Sequence, residues 1–220
     1  MSEHRTIWLI RHAQSFGNQH NLIQGHMDTP LTELGIEQSE RTGIYFEKHQ
    51  PEFAVKHIFA SDLKRAYQTA HSISSRLGLH LKKLPELREA HFGKWEGKEA
   101  SLVEREDPEV FRRWRQDRKW RPQWCEPFDD FQQRGVNAIL KILDETYGNL
   151  VVVSHGGIIH AMLVYWLATE TVTLSKVHNC GIATLKVFPS EIMVVDHNFV
   201  APSVPISPEM NEEAAEIVYR

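Results

Sequence analysis

The sequence predicts an α/β fold: a three-layer sandwich with a mostly parallel central sheet flanked by helices, plus a small helical lid insertion. Strand-like and helix-like segments alternate along the chain, which is the pattern of parallel strands joined by crossover helices. Residues 150–153 form an uninterrupted valine-rich run, typical of a strand that is covered on both faces. We expect a single domain over residues 1–220, with the lid at 98–127 and a C-terminal extension at 201–220.

The first half of the chain predicts two strands and two helices. Residues 7–10 are apolar and indicate a buried strand, and a polar helix is expected near residues 32–48. Residues 56–60 indicate a short strand, after which Ser61 is suited to cap a helix. Apolar side chains recur on that helix at helical spacing: Leu63, Ala66, Tyr67, Ala70, Ile73 and Leu77.

The second half continues the alternation. Residues 80–84 are a strand candidate, and a second amphipathic helix is marked by Phe128, Phe131, Gly135, Ile139, Ile142 and Leu143. After the valine-rich strand, residues 158–168 are apolar nearly all round, which indicates a buried helix. Two late strands fit residues 182–188 and 191–196.

Composition narrows the classes of function. A hydrophobic fraction of 41% and a charged fraction of 25% are ordinary for a globular protein, and a net charge of −4 does not indicate a general nucleic-acid or membrane binder. The chain has no apolar run long enough for a membrane span or a signal peptide, so we expect a cytoplasmic protein without a membrane partner. Cys125 and Cys180 lack CxxC spacing and the histidines lack HExxH spacing, so we expect neither metal nor cofactor.

The first candidate for chemistry is the pair Arg11 and His12, directly after the strand at 7–10. Open α/β sheets bind ligands beyond the carboxyl ends of their strands, where His12 is both fixed and accessible. The planar guanidinium of Arg11 suits a phosphate or carboxylate because it pairs with two oxygens at once. Such a dipeptide is more often a surface turn, so it needs support from elsewhere in the chain.

The same arrangement, a histidine directly after a buried strand, occurs a second time, because the valine-rich strand leads into Ser154 and His155. Both histidines therefore follow buried strands, from which they can face one crevice. Gly156 and Gly157 then open a helix whose N-terminal N–H groups and positive dipole end favour an anion.

Arg65 and Glu89 are two further candidates. Arg65 lies in the first turn of its helix, off the apolar stripe, so it can reach over a strand end. Glu89 belongs to a loop of aromatic, glycine and acidic residues, and such loops often carry function. The structural alternative makes Phe92 and Trp95 core anchors and Glu89 the ion-pair partner of a neighbouring arginine.

Together these segments resemble the ordered signatures of the histidine phosphatase superfamily, in its phosphoglycerate mutase-like branch. The resemblance covers most of the chain and is weak between about residues 98 and 127 and after 197. One departure is Ala13, where the family usually has glycine, and the added methyl is expected to narrow the phosphate pocket or to shift the loop. The segments that carry the resemblance are LIRHAQS at 9–15 with Asn18, SDLKRAYQTA at 61–70, LRE at 87–89 with FGKWEG at 92–97, and SHGG at 154–157.

The resemblance implies a metal-independent phosphatase that hydrolyses small phosphomonoesters through a phosphohistidine. His12 is the implied nucleophile, and Glu89 the group that protonates the leaving alkoxide and later takes a proton from water. The implied phosphate ligands are Arg11, Asn18, Arg65, His155 and the backbone N–H of Gly156, while Gln24 and Gly25 correspond to substrate-contacting positions. The expected partner is a small phosphorylated metabolite.

Two other functions remain as alternatives. The family's phosphoglycerate mutases carry a longer basic insertion after the Trp-Glu-Gly segment, which is not recognisable here, so a phosphatase is favoured over a mutase. The second alternative is a non-catalytic module that recognises a phosphorylated partner. Glu89 argues against it, because binding alone does not need an acid.

The segment at 111–124 is basic and rich in tryptophan, and it allows two interpretations. Its arginines and aromatic faces suit a polyanionic or nucleotide-like substrate. The favoured interpretation is an exposed helix whose tryptophans pack on the main domain while its charges stay in water. We expect no nucleic-acid partner.

Overall fold

The computed structural model describes residues 4–117, 119–168 and 177–201, so most of the predicted C-terminal extension lies outside the described residues. The strands are β1 (Arg5–Arg11), β2 (Val55–Ala60), β3 (Leu81–Lys83), β4 (Asn149–Ser154), β5 (Ile182–Val187) and β6 (Ile192–Phe199). The α-helices are α1 (Phe16–Gln19), α2 (Glu33–Phe53), α3 (Lys64–Leu77), α4 (Ala100–Glu106), α5 (Pro108–Gln116), α6 (Phe128–Glu145) and α7 (Gly156–Leu167). Two 3-10 turns occupy Pro85–Leu87 and Gly93–Trp95.

The six strands form one sheet in the order β3-β2-β4-β1-β5-β6. Strands β1 to β4 pair in parallel, whereas β5 pairs antiparallel with β1, and β6 antiparallel with β5. The predicted α/β class with a mostly parallel sheet is therefore confirmed. The short connection from β5 to β6 is a hairpin, which reverses the chain direction and makes these two strands antiparallel to each other.

Side chains alternate between the two faces of the sheet, and each face has its own helical layer. On β1, Ile7 and Leu9 pack into the core that α6 and α7 cover, whereas Trp8 and Ile10 pack against α2 and α3. Helix α7 is buried from Gly156 to Leu163 except on one side, as its apolar composition predicts, whereas Tyr165 and Leu167 near its end are exposed. Among the described residues, no helix combines the length and the apolar character that a membrane crossing requires.

Two local predictions need correction. Ser61 does not cap α3, because the helix begins at Lys64 after Leu63 in the N-cap position, and that cap has no side-chain hydrogen bond. The hydroxyl of Ser61 lies in the candidate site instead. Helix α2 also runs five residues beyond the predicted end at 48, to Phe53, where Ala54 adopts a left-handed conformation that ends the helix.

Helices α4 and α5 lie in the predicted lid insertion and share a small core with the preceding loop. Trp95 and Trp114 are buried in this core, and Trp120 and Trp124 pack against it. The tryptophans therefore make packing contacts, as the favoured interpretation of the basic segment predicts, while Arg118 lies outside the described residues.

Candidate active site

Three strands end side by side and place the candidate residues at one edge of the sheet. In the parallel register Arg11 of β1 lies opposite Ser154 of β4, and Ala60 of β2 lies opposite Val153. The next residues along these strands, His12, His155 and Ser61, therefore meet beyond their carboxyl ends. The ring centroids of the two histidines are 5.2 Å apart.

The buried imidazole of His12 is held by its neighbour's carbonyl group. Nδ1 lies 2.7 Å from the carbonyl oxygen of Ala13. Because a carbonyl oxygen only accepts hydrogen bonds, Nδ1 carries the proton and Nε2 keeps its lone pair. The fold thereby selects the tautomer in which Nε2 can act as a nucleophile.

His155 is fixed in the opposite tautomer. The Nε of Arg65 donates to Nδ1 of His155 at 3.2 Å, so Nδ1 is the unprotonated nitrogen. Nε2 of His155 then carries the proton and donates to Oγ of Ser61 at 2.9 Å. Both ring nitrogens have protein partners here, so a bond from His155 to a phosphoryl oxygen would replace its bond to Ser61.

The guanidinium of Arg65 is buried and held by the loop after α1. Nη1 donates to the carbonyl of Met27 at 2.7 Å, and Nη2 donates to the carbonyl of Gly25 at 2.8 Å. Arg65 is 1% exposed although it lies in the first turn of α3, because the site covers it. Arg65 therefore reaches over the strand end to His155, as predicted.

Burial and positive charge keep both histidines neutral. The pKa of His12 is held well below its ordinary value, first by burial and then by the charges of Arg65 and Arg11. The pKa of His155 is lowered in the same way, by burial and by Arg65. Neutral imidazoles among cationic guanidinium groups suit an anionic electrophile such as a phosphate ester.

Glu89 occupies the N-terminus of α7. Its Oε2 accepts from the N–H of Gly157 at 2.9 Å, and Oε1 accepts from the N–H groups of Ile158 at 3.1 Å and Ala90 at 3.0 Å. The helix that Gly156 opens was predicted to offer its N–H groups to a substrate anion, but the carboxylate of Glu89 takes this place. The structural alternative, in which the carboxylate of Glu89 pairs with an arginine, is also wrong, because the three donors to this carboxylate are backbone N–H groups.

Arg11 and Asn18 lie beside His12. Nη1 of Arg11 donates to the carbonyl of Val177 at 2.6 Å. In a capping box, Oδ1 of Asn18 accepts from the backbone N–H of Ser15, and the hydroxyl of Ser15 accepts from the backbone N–H of Asn18. Nδ2 of Asn179 donates to the carbonyl of His12 at 2.9 Å and to Oδ1 of Asn18 at 3.4 Å, which joins the two predicted residues.

Gln24 and Gly25 form the wall next to Arg65. Oε1 of Gln24 accepts from Oγ of Ser15 at 2.9 Å and from Oγ1 of Thr29 at 2.7 Å. Gly25 has a φ of 50°, a left-handed conformation that favours glycine, and a Cβ there would displace the carboxyl group of Glu96.

Ala13 does not narrow the site, contrary to the expectation from the family's glycine. Its side chain is buried in a small apolar cluster with Leu31, Cys180 and Ala201, and its N–H donates to Oγ1 of Thr69 at 3.0 Å. The added methyl group fills this cluster, so nothing here indicates a smaller substrate.

Sequence reasoning missed three contributors to this site. Ser61 stands within a recognised motif but was interpreted as a helix cap, because a hydroxyl before a helix usually has that role. Asn179 precedes β5 without any motif, and only the antiparallel pairing of β5 with β1 brings it to His12. His26 contacts the backbone of Glu89. It directly follows Gln24 and Gly25, which the family resemblance identifies as substrate-contacting positions, but the resemblance does not identify His26 itself.

A family model described as the histidine phosphatase superfamily, branch 1, matches residues 7–200. The glucosyl-3-phosphoglycerate phosphatase of Mycobacterium tuberculosis is 32% identical over 167 residues, which cover 72% of this chain and 73% of that protein. The adenosylcobalamin/alpha-ribazole phosphatase of Escherichia coli K12 is 34% identical over 161 residues, covering 71% of this chain and 76% of the relative.

The fold is similar to a solved structure of mycobacterial glucosyl-3-phosphoglycerate phosphatase in complex with VO3. That comparison gives a TM-score of 0.79 and 27% identity, and covers 87% of this chain and 98% of the other.

Proposed function

The chain belongs to the histidine phosphatase superfamily, branch 1, and on this premise we propose that it hydrolyses small phosphomonoesters through a phosphohistidine. Its relatives in M. tuberculosis and E. coli are phosphatases by name, and their substrates are small phosphorylated metabolites. The observation that carries the proposal is the fixed tautomer of His12, whose Nε2 keeps a lone pair beside two arginines.

In the proposed first step, Nε2 of His12 attacks phosphorus and forms an N–P bond while the P–O bond to the leaving alkoxide breaks. Arg11, Arg65 and the amide of Asn18 hold the phosphoryl oxygens and stabilise the charge that spreads over them. His155 contributes after its Nε2–H turns from Ser61 to a phosphoryl oxygen.

Glu89 moves the proton in both steps. In the first step it acts as the general acid and gives a proton to the departing alkoxide. In the second step water attacks the phosphohistidine, Glu89 takes a proton from that water, and inorganic phosphate leaves with His12 neutral again. The backbone bonds from Gly157 and Ile158 support this role by fixing the carboxyl group at the start of α7.

We propose that this chemistry needs no metal, because the guanidinium groups of Arg11 and Arg65 already supply the positive field around His12. Residues 98–127 are the proposed lid. The strand-like bridge from Leu22 to Glu99, together with the hydrogen bond from Ile23 to Lys98, joins the lid to the loop that carries Gln24 and Gly25. The lid is therefore suited to influence which substrate enters.

The first test is hydrolysis of p-nitrophenyl phosphate in metal-free buffer by the wild-type protein and by His12→Ala. The variant removes the only atom proposed to bond to phosphorus, so its turnover should fall by at least about 10³-fold. Acid-quenched wild type incubated with labelled substrate should carry an acid-labile phosphate that the variant lacks.

Equal turnover by the two proteins would disprove the role of His12. A panel of phosphorylated metabolites, with the two phosphoglycerates and a bisphosphorylated primer included, identifies the substrate. Rapid primer-dependent interconversion of the phosphoglycerates would show a mutase instead.

A further inference from the structure

His26 lies between two groups of the site that are far apart in the chain. Its neighbours Gly25 and Met27 accept hydrogen bonds from the guanidinium of Arg65 through their carbonyl groups. The ring of His26 points the other way and contacts Glu89, where Nε2 lies 2.8 Å from the main-chain carbonyl oxygen. Three consecutive residues thus join the phosphate-binding arginine to the proposed proton donor.

The direction of this bond is fixed by chemistry. A carbonyl oxygen only accepts, so Nε2 of His26 carries a proton and donates a hydrogen bond to the carbonyl oxygen of Glu89. The same carbonyl accepts a longer bond, 3.3 Å, from Nη2 of Arg134 on α6. Two donors on different elements therefore hold the carbonyl of the peptide unit between Glu89 and Ala90.

That peptide unit also holds the carboxyl group of Glu89. The N–H of Ala90 belongs to the same planar unit as the Glu89 carbonyl, and it donates to Oε1 of Glu89 at 3.0 Å. If the unit turned about its axis, the N–H would leave the carboxyl group. A donor that fixes the carbonyl end therefore fixes the orientation of the carboxyl group as well.

His26 is itself well placed to act as this donor. Its backbone N–H donates to Oε1 of Glu96 at 3.0 Å, and its ring packs edge to face with that of His91 at a centroid distance of 5.2 Å. The residue is partly buried.

We propose that His26 is a positioning residue that orients the carboxyl group of Glu89, and couples it to Arg65, through the peptide unit between residues 89 and 90. This inference rests on the proposed function, in which Glu89 protonates the leaving group. It makes a specific chemical prediction, because an alkoxide needs that proton to leave, whereas p-nitrophenolate leaves readily without it.

The test compares kcat/KM for p-nitrophenyl phosphate and for glycerol 2-phosphate, an alkyl ester, because kcat/KM reports the steps up to departure of the leaving group and not the hydrolysis of the phosphohistidine that both esters share. His26→Leu should lower kcat/KM for the alkyl ester by roughly 10- to 100-fold and kcat/KM for the aryl ester by less than about threefold, since in these steps only the alkyl ester depends on the position of Glu89. His26→Gln keeps an N–H donor of similar reach and should recover most of the lost rate.

Two controls separate positioning from folding. His91→Leu removes the neighbouring ring but leaves the bond to Glu89, so both rates should stay near wild type. His26→Asn has an amide that is too short to reach the carbonyl, so it should reproduce the selective loss even if His26→Leu folds poorly. In a Glu89→Gln background, changing His26 should cost nothing further, because the group it positions no longer transfers a proton.

An equal loss of kcat/KM on both esters would reject the positioning role, because departure of p-nitrophenolate does not need the proton of Glu89. This result requires an active wild-type enzyme. Failure of the wild type to hydrolyse either ester would instead overturn the proposed function, and this inference with it.

Discussion

At the scale of single residues, the reactivity of the site depends on which nitrogen of each histidine carries the proton. The carbonyl of Ala13 assigns the proton of His12 to Nδ1, and the guanidinium of Arg65 assigns that of His155 to Nε2. Neither assignment needs a charged carboxylate beside the ring. The two imidazoles, 5.2 Å apart between centroids, are therefore neutral yet functionally different.

Gly157 is predicted to be essential for the position of Glu89. A Cβ at residue 157 would lie 2.5 Å from Oε1 of Glu89, so Gly157→Ala must displace the carboxyl group from the N-terminus of α7. We expect the hydrolysis of alkyl phosphates to fall by roughly 10²-fold, with little change in melting temperature, since a displacement of about 1 Å has this effect on catalysis.

The measurement is steady-state kinetics over a series of esters with increasingly basic leaving groups. Gly157→Ala should resemble Glu89→Gln, with a rate that decreases more steeply along the series than in wild type. A wild-type slope in the variant would show that Glu89 works from another position.

At the scale of elements, the site depends on two helices that meet almost backbone to backbone. Gly43 of α2 lies against α3, where an added Cβ would be 2.7 Å from the carbonyl oxygen of Ser72. The hydroxyl groups of Ser39 and Ser72 are 3.0 Å apart across the same interface. This close approach fixes α3, and with it Arg65 in the first turn.

Gly43→Ala should therefore destabilise the fold by about 1–3 kcal/mol, because the rigid backbone of α3 has to move away. Denaturant unfolding measures the change. The matched control is Ile44→Ala, one residue further along α2, whose side chain is 45% exposed; its effect should be about 0.5 kcal/mol or less. A smaller effect at Gly43 than at Ile44 would contradict the close packing.

At the scale of the whole molecule, the fold keeps two neutral histidines and two arginines in one buried cluster. Arg11, His12, Arg65 and His155 are each at most 4% exposed. The sheet makes this possible, because backbone pairing holds the strand ends together irrespective of the side chains they carry. The cost is a dependence of stability on pH.

That dependence has a defined sign. The pKa values of His12 and His155 are lowered in the folded protein, so near pH 6 these groups are neutral when folded, whereas the unfolded chain takes up protons below its ordinary histidine pKa of about 6.5. The free energy of unfolding should therefore have its full value above about pH 6.5. At lower pH it should decrease, by up to about 1.4 kcal/mol per pH unit for each of these histidines.

Denaturant unfolding at intervals between pH 7.5 and 5 measures this effect before most carboxylates titrate. The control is His12→Gln, which removes one of these proton-binding groups and should give a smaller slope. Equal slopes in the two proteins would show that His12 does not contribute.

Much of this fold followed from local patterns. Apolar runs placed β1 and β4 and apolar periodicity placed α3 and α6, because each element buries one face or stripe that its own sequence encodes. The antiparallel pairing of β5 and the left-handed end of α2 at Ala54 were not predicted. The first depends on contacts between elements and the second on a backbone angle, and neither leaves a periodic pattern in the sequence.

The sequence by itself determined the set of chemical groups, since Arg11, His12, Arg65, Glu89 and His155 all follow from motifs at element ends. Only the tertiary structure decided their partners: that Nδ1 of His155 accepts from Arg65, that Glu89 takes the N-terminus of α7, and that His26 holds the backbone of Glu89. The physical reason is range. Motifs record what one segment needs locally, whereas hydrogen bonds between residues more than 60 positions apart exist only after the sheet has brought the strand ends together.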